Sequence, residues 1–360
     1  MAPHNPILSV VMSVYNGEAF LREAVDSVLG QTFGDFEFII IDDGSTDQTP
    51  QILCDYAKRE PRVRVFHQRN QGRAEALNSG VDLATAPLIA RMDADDVSFP
   101  QRFEQQVEFM RTRPEVGLLG AAVDIIAQDG RKIGAHQPPF EDATLRATLL
   151  RHNPFRHPTL MMRKEAVLAV NGYRKALLDV DDYDLILRMA ERTRMANLRE
   201  CVLSYRVHPN QASVVNIKHQ ALCGFAARVA ASFRKQGLPD PLCGVEKITP
   251  QFVRELGVSD EEIRRDTAGA YLYWIGLLAE VYPDSTLTLV DSLLDLSKSG
   301  SIERSATAVA LLRAAGIHFR RGRLTKGLAS VGRSVLAQPI EVGRHLKMAV
   351  TRRAMTVSRP

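Results

Sequence analysis

Phe36-Glu37-Phe38-Ile39-Ile40-Ile41 runs into Asp42-Asp43-Gly44-Ser45-Thr46-Asp47, and Leu88-Ile89-Ala90-Arg91-Met92 runs into Asp93-Ala94-Asp95-Asp96. Short, mainly apolar runs bounded by turn residues read as strands buried on both faces. A strand that ends in carboxylates delivers them to one edge of its sheet. Carboxylates clustered at such an edge suit a divalent cation, and a cation there can hold a diphosphate.

Around these two runs, strand-like and helix-like segments alternate. Ile7 to Val14 is a near-continuous apolar run, and Gly17 breaks it. Phe20, Leu21, Ala24, Val25, Val28 and Leu29 then recur at helical spacing. Thr49 to Lys58 reads as the next helix and Val63 to Phe66 as a third strand. A helix from Ala74 carries Ala74, Leu77, Val81 and Ala84 on one face. Pro100 suits the first turn of another, which points Phe103, Val107 and Met110 inward. This order predicts an α/β fold with a mostly parallel sheet flanked by helices. Ligands of such sheets bind beyond the carboxyl ends of the strands, where both acidic clusters fall.

From about Val116 to His208 the pattern is irregular. Strand candidates at Val123 to Ile126, Thr159 to Met162 and Val202 to Val207 mix with helices, of which Asp181 to Glu191 is the clearest. Past about Ser213 long helical patterns take over, at Ala268 to Glu280, Leu287 to Leu296 and Ala306 to Phe319. Ala314 to Pro339 reads as one helical hairpin turning at Gly322. The expected organisation is a domain of residues 1–213 followed by a helical C-terminal region of 214–360.

The chain has 360 residues, 45% hydrophobic and 24% charged, as soluble globular proteins do. Its net charge of +4 is too small to indicate a nucleic-acid partner. The charge is uneven, however. From His318 onward, ten Lys or Arg face one acid, Glu341, which sets that end at +9 and the remainder at −5. A basic end on an acidic body predicts peripheral contact with an anionic membrane; the plainer alternative is a solvated helical face. Cys54, Cys201, Cys223 and Cys243 form no CxxC pair, which argues against zinc and redox motifs and fits a reducing compartment. Met1 to Pro6 lacks a signal pattern, and no apolar run approaches the ~20 residues that span a bilayer. The expectation is a cytoplasmic protein.

Taken in order, these motifs resemble the inverting glycosyltransferases of family two, which have the Rossmann-like GT-A fold. Ser9-Val10-Val11-Met12-Ser13-Val14-Tyr15-Asn16 is similar to their first strand. Gln31-Thr32-Phe33 and the Asp42 to Asp47 stretch are similar to the next landmarks. Gln71-Gly72-Arg73-Ala74-Glu75-Ala76-Leu77-Asn78-Ser79-Gly80 resembles their glycine-to-asparagine helix start, and Asp93-Ala94-Asp95-Asp96 their metal-binding acidic triplet. Each motif alone is weak, and their order and spacing together are specific. The resemblance covers residues 7 to about 213. It divides that stretch into a nucleotide-sugar half, about 1–115, and an acceptor half, about 116–213.

The resemblance implies a donor that is a nucleotide sugar carrying UDP. It also implies an acceptor hydroxyl on a glycan or a lipid-linked saccharide. Tyr15 would stack on the base and Asp43 would accept a hydrogen bond from it, with Ser45 or Thr46 capping the turn or helix that follows. Arg73 is either a contact to base or diphosphate or a solvated helix charge. Mn²⁺ or Mg²⁺ would sit on Asp95 first and Asp93 second, with Asp93 alternatively on the ribose and Asp96 orienting the others. The cation would neutralise the departing nucleoside diphosphate. Tyr205-Arg206-Val207-His208 resembles a late segment near that diphosphate. It offers Arg206 as a phosphate contact and His208 as a further metal ligand or a surface residue before Pro209.

Asp179-Val180-Asp181-Asp182-Tyr183-Asp184 resembles the family's acidic pair, usually Glu-Asp, with Asp181 a conservative departure. Asp182 falls at the position of the catalytic base, with Asp181 the runner-up. A helix N-terminus there favours the ionised carboxylate. Asn153-Pro154-Phe155-Arg156-His157-Pro158 and Gly172-Tyr173-Arg174 belong to the acceptor side, with His157 a candidate lining residue. Two other classes compete. A nucleotidyltransferase would show a glycine- and basic-rich loop after the first strand, and Ser13 to Glu18 has no basic residue. A non-catalytic binding module would not require acids at Asp181 and Asp182.

Overall fold

The computed structural model describes residues 5–177, 180–298 and 304–338. They fall into two compact units, one of residues 1–207 with 226–248 and the other of 208–225 with 249–360.

The first unit contains β1 (Leu8–Val14), α1 (Leu21–Leu29), β2 (Phe36–Asp42), α2 (Thr49–Arg59), β3 (Val63–His67), α3 (Arg73–Leu83) and β4 (Leu88–Met92). It continues with β5 (Val97–Ser98), α4 (Arg102–Thr112), β6 (Val116–Ile126), β7 (Lys132–His136) and α5 (Asp142–Leu149). The last elements are β8 (Met161–Arg163), α6 (Lys164–Leu168), α7 (Asp181–Ala190) and β9 (Arg194–Arg206). One sheet runs β3-β2-β1-β4-β8-β6-β9-β5, with β7 paired to β6. The pairs β1–β2, β2–β3 and β1–β4 are parallel. The later strands change the direction: β8 is antiparallel to both β4 and β6, while β9 lies parallel to β6 and β5 antiparallel to β9. The whole sheet is mixed.

The apolar runs become strands because both faces of the sheet are covered. Every residue of β2 and β4 is buried. Their polar members are paired. Glu37 accepts hydrogen bonds from Ser9 Oγ (2.7 Å), Thr85 Oγ1 (2.6 Å) and Thr85 N (2.7 Å), and forms an ion pair with Arg64. Most buried polar groups in folded proteins are satisfied in this way. Gly80 of α3 lies against Val11 of β1 with no room for a Cβ, so the helix sits close on the sheet.

The register sets the functional edge. Val14 stands opposite Asp42, and Met12 opposite Met92. The loops after β1, β2 and β4 therefore leave the sheet on the same side. Two local expectations change. Helix α4 begins after Pro100, whose carbonyl instead accepts the Thr32 N–H at 2.9 Å. Neither Ser45 nor Thr46 caps α2, which has no side-chain cap at Gln48. Asp47 Oδ1 accepts the Thr49 N–H at 2.9 Å, Asp42 Oδ1 the Ser45 N–H at 3.0 Å, and Ser45 Oγ the Asn16 N–H at 2.9 Å.

The first unit ends at Val207, shortly before the expected boundary, and recovers residues 226–248. Ion pairs explain the recovery: Arg234 holds Glu191 and Asp240 at 2.8 Å, and Asp240 takes Arg174 at 2.6 Å.

The rest of the described chain is helical: α8 (Ala212–Val215), α9 (Ile217–Lys235), α10 (Pro250–Glu255), α11 (Asp260–Leu278), α12 (Pro283–Lys298), α13 (Arg304–Arg320) and α14 (Leu324–Ala337). Helix α9 divides between the units, its residues from Ala226 onward counting with the first. Ser259 and Glu262 form a reciprocal capping box at α11. Trp274, Ile275, Leu278, Leu293 and Leu311 are buried in the second unit. Helices α13 and α14 form the expected hairpin, with Gly322 at φ +68° in the turn. Of the basic end, Arg320, Arg321, Arg323, Lys326 and Arg333 are described; Arg344, Lys347, Arg352, Arg353 and Arg359 lie outside the described residues. Among the described residues no helix is long and apolar enough to cross a membrane.

Candidate active site

Three carboxylates gather where β4 ends. Oxygens of Asp93, Asp95 and Asp96 lie within 4.8 Å of one another. Asp96 is fully buried; its Oδ1 accepts the Arg206 N–H at 2.7 Å, while Oδ2 is buried with no hydrogen-bond partner among the described residues. Burial, and then the charges of Asp95 and Asp93, push its pKa well above the usual carboxylate range. Like charges held this close repel. A hard divalent cation would relieve the repulsion through oxygen ligands. The triplet and the orphaned Asp96 oxygen fit such an ion.

The turn is braced from behind by arginines. Arg91, inside the run that reads as apolar, is 1% exposed and donates to Asp93 Oδ1 at 2.5 Å; its Nε and Nη1 are buried without a hydrogen-bond partner. Arg206 was expected at a diphosphate. Its guanidinium is instead spent on the protein, donating to Asp95 O (2.7 Å), Gln128 O (2.9 Å) and Glu23 Oε2 (2.6 Å). At 2% exposure it holds the acidic turn to α1 and to the end of β6.

The β1 and β2 loops supply the neighbouring ground. Tyr15 follows β1 and is 53% exposed, with its ring available for stacking. Asn16 Oδ1 accepts the Thr46 N–H at 2.8 Å, which ties the two loops together. A Cβ on Gly17 would stand 3.7 Å from Ala94 Cβ, so the β1 loop borders the acidic turn. Asp43 is buried and takes three donors: Gln68 Nε2 (2.7 Å), Gln71 N (2.9 Å) and Gly72 N (2.8 Å). Gly72, at φ +92°, lets the chain turn over that carboxylate into α3. Asp43 thus builds the floor of the loop.

The α7 acids come from the other side. Arg73 forms an ion pair with Asp181 through Nε and Nη2. Burial opposes the charge on Arg73, but Asp181, Asp182 and Asp93 outweigh it and raise its pKa. Asp182 accepts from Asn153 Nδ2 at 2.9 Å. Burial first, and then Asp181, push Asp182 up to about 6, with Arg73 opposing and Asp93 adding to the rise. The helix N-terminus favours the ionised form, and desolvation outweighs it. Asp179 lies outside the described residues.

The segments singled out on the acceptor side meet here. His157 is buried, with Nε2 3.0 Å from the Tyr173 hydroxyl. Burial, then Arg91 and Arg73, drive its pKa well below the usual range, so the ring is neutral. Asn78 clasps the Tyr173 backbone through both amide atoms, at 2.8 and 2.9 Å. His208 lies in the second unit, where its N–H donates to Gln211 Oε1 at 2.9 Å. The role of Arg91 is not legible in the sequence, because one arginine in a five-residue run sets no pattern. Asn153 and Tyr173 lie in recognisable segments, but their partners are distant in sequence.

Residues 9–170 match the family described as glycosyl transferase family 2. The O-antigen biosynthesis glycosyltransferase WbnJ of Escherichia coli is 34% identical over 206 residues, 56% of this chain and 80% of that one. Among solved structures, S. aureus TarS 1-349 in complex with UDP-GlcNAc gives a TM-score of 0.53 at 15% identity, covering 92% of each chain. The mannosyltransferase PcManGT of Pyrobaculum calidifontis, in complex with GDP-Man and Mn²⁺, gives 0.51 at 16% identity, covering 93% of this chain and 87% of that one.

Proposed function

Because the chain belongs to glycosyl transferase family 2 and has the GT-A fold, we propose that it is a metal-dependent, inverting enzyme that moves a sugar from a UDP-sugar to a hydroxyl of a glycan or lipid-linked saccharide. The observation that carries the proposal is geometric. Oxygens of Asp93, Asp95 and Asp96 lie within 4.8 Å of one another where β4 ends, and the β1 loop borders that turn at Gly17.

Asp95 and Asp93 would hold Mn²⁺ or Mg²⁺, with Asp96 behind them. When bound, the ion supplies positive charge to the departing diphosphate. Tyr15 stacks on the base, and the loop floored by Asp43 receives the nucleoside. Arg73 neutralises Asp181, which leaves Asp182 as the carboxylate that accepts the proton from the acceptor hydroxyl. Attack from that side, opposite the leaving group, inverts the anomeric centre. Arg206 acts by positioning Asp95 and Asp96. O-antigen biosynthesis in the relative's name supports a surface-glycan acceptor. The basic C-terminal region meets an anionic membrane on the cytoplasmic side, a reading independent of the transfer chemistry.

The test is a thermal-shift screen of nucleotide sugars with and without Mn²⁺, followed by NMR of the transferred sugar's anomeric configuration. Stabilisation by a UDP-sugar only with Mn²⁺, and an inverted product, are expected. A retained configuration, or metal-free turnover, overturns the reading.

A further inference from the structure

Helix α14 is built the wrong way round for water. Its buried positions are Gly327 and Ser334, seven apart on one face. Gly327 leaves space for the Phe319 ring, and Ser334 Oγ donates to Ala308 O at 2.8 Å. Its large apolar residues face outward: Leu324 is 63% exposed, Leu328 65%, Val335 40% and Leu336 85%. At about 100° per residue these four, with Thr325, Ala329 and Gly332 between them, form an uncharged arc of roughly 160°. A surface helix in water normally shows the reverse pattern.

The rim of that arc is basic. Lys326 and Arg333, seven apart, share one edge, and Arg323 precedes the helix. With His318 and Ser330 they line a cleft of about 290 Å³ that Asp291 alone among acids also borders. The side chains of Arg323, Lys326 and Arg333 make no hydrogen bond or ion pair among the described residues. Helices α13 and α14 contain no Asp or Glu.

We propose that α14 is the face on which this chain lies against an anionic lipid bilayer, with Leu324, Leu328, Val335 and Leu336 entering the acyl boundary and Arg323, Lys326 and Arg333 holding lipid phosphates at the rim. The proposal rests on the membrane reading above and not on the transfer chemistry. Charge complementarity selects the occupant. A second copy docked antiparallel about a two-fold axis would bring the same cations face to face, whereas anionic headgroups match them.

The full chain is floated with vesicles of phosphatidylcholine, with and without phosphatidylglycerol. Wild type binds the anionic vesicles and is released by salt. Leu324→Ser with Leu328→Ser and Leu336→Ser lowers the partition coefficient by about tenfold or more. Lys326→Glu with Arg333→Glu does the same and removes the salt dependence. All five positions are exposed, so circular dichroism and Tm stay at wild-type values. If wild type ignores anionic vesicles, the membrane reading falls and this one with it. If wild type binds and both variants bind equally, only the assignment to α14 falls. A dimer in light scattering that the leucine variant dissolves also overturns it, in favour of a second copy.

Discussion

Two adjacent aspartates with the same side chain are given different work by one arginine. Asp181 is neutralised by Arg73, while Asp182 accepts from Asn153 and from the Tyr183 backbone and is pushed up to about 6, chiefly by burial. A base must be ionised, so kcat should fall as the pH drops through about 6 and level off above 7. Asp182→Asn should cut turnover by about 10³-fold or more while nucleotide binding survives. Stability moves the other way. A carboxyl whose folded pKa is raised opposes folding once the pH exceeds its unfolded value, and the full penalty is present above its folded value. The Asn variant should therefore gain Tm at pH 8 and not at pH 4; equal Tm differences at both would remove the raised pKa from the account. Arg73→Met gives a second check. It strands Asp181 in the interior, at a cost of about 3 kcal/mol by denaturant titration, and it removes the one cation that lowers Asp182. The acid limb of the pH–rate profile should shift upward, and an unmoved limb would sever Arg73 from the base.

Among elements, legibility followed burial. Strands β1, β2 and β4 read clearly because both faces are covered and nearly every position is apolar. The acidic turn was legible for the complementary reason, since charge stops a buried strand abruptly. The later strands read only in part, since Thr159 to Met162 and Val202 to Val207 cover just portions of β8 and β9. β8 has three residues and β5 two, too few for any period, and β9 exposes Glu200 and Arg199 in the middle of its length. Side-chain partners were least legible, because Asp43 reaches Gly72 and Arg206 reaches Glu23 only after the strands align. Arg206 marks where sequence and structure assign different roles. If it braces the turn, Arg206→Met should lower Tm and weaken apparent Mn²⁺ affinity by about 10- to 100-fold. If it is a phosphate contact, the KM for the nucleotide sugar should rise with metal affinity intact. Titrating each ligand separately decides between them.

At the scale of the molecule, the chain divides its chemistry by charge. The acid-rich body carries the carboxylates that a cation would satisfy, and the cationic end carries none of them. The carboxylates are crowded: Asp96 is buried, its Oδ2 has no hydrogen-bond partner among the described residues, and burial, then Asp95 and Asp93, raise its pKa. An ion that binds only the folded arrangement should stabilise it through linkage, by about 2.7 kcal/mol at a concentration 100-fold above its dissociation constant. Mn²⁺ should therefore raise the unfolding transition of the first unit, and a chelator should return it to the metal-free value and stop turnover. Asp95→Ala should abolish the Mn²⁺ shift. It should also start from a Tm no lower than metal-free wild type, because removing one of three crowded carboxylates relieves repulsion as it removes a ligand. A Mn²⁺ shift that persists in this variant would place the ion elsewhere and leave the triplet as a turn that merely ends a strand.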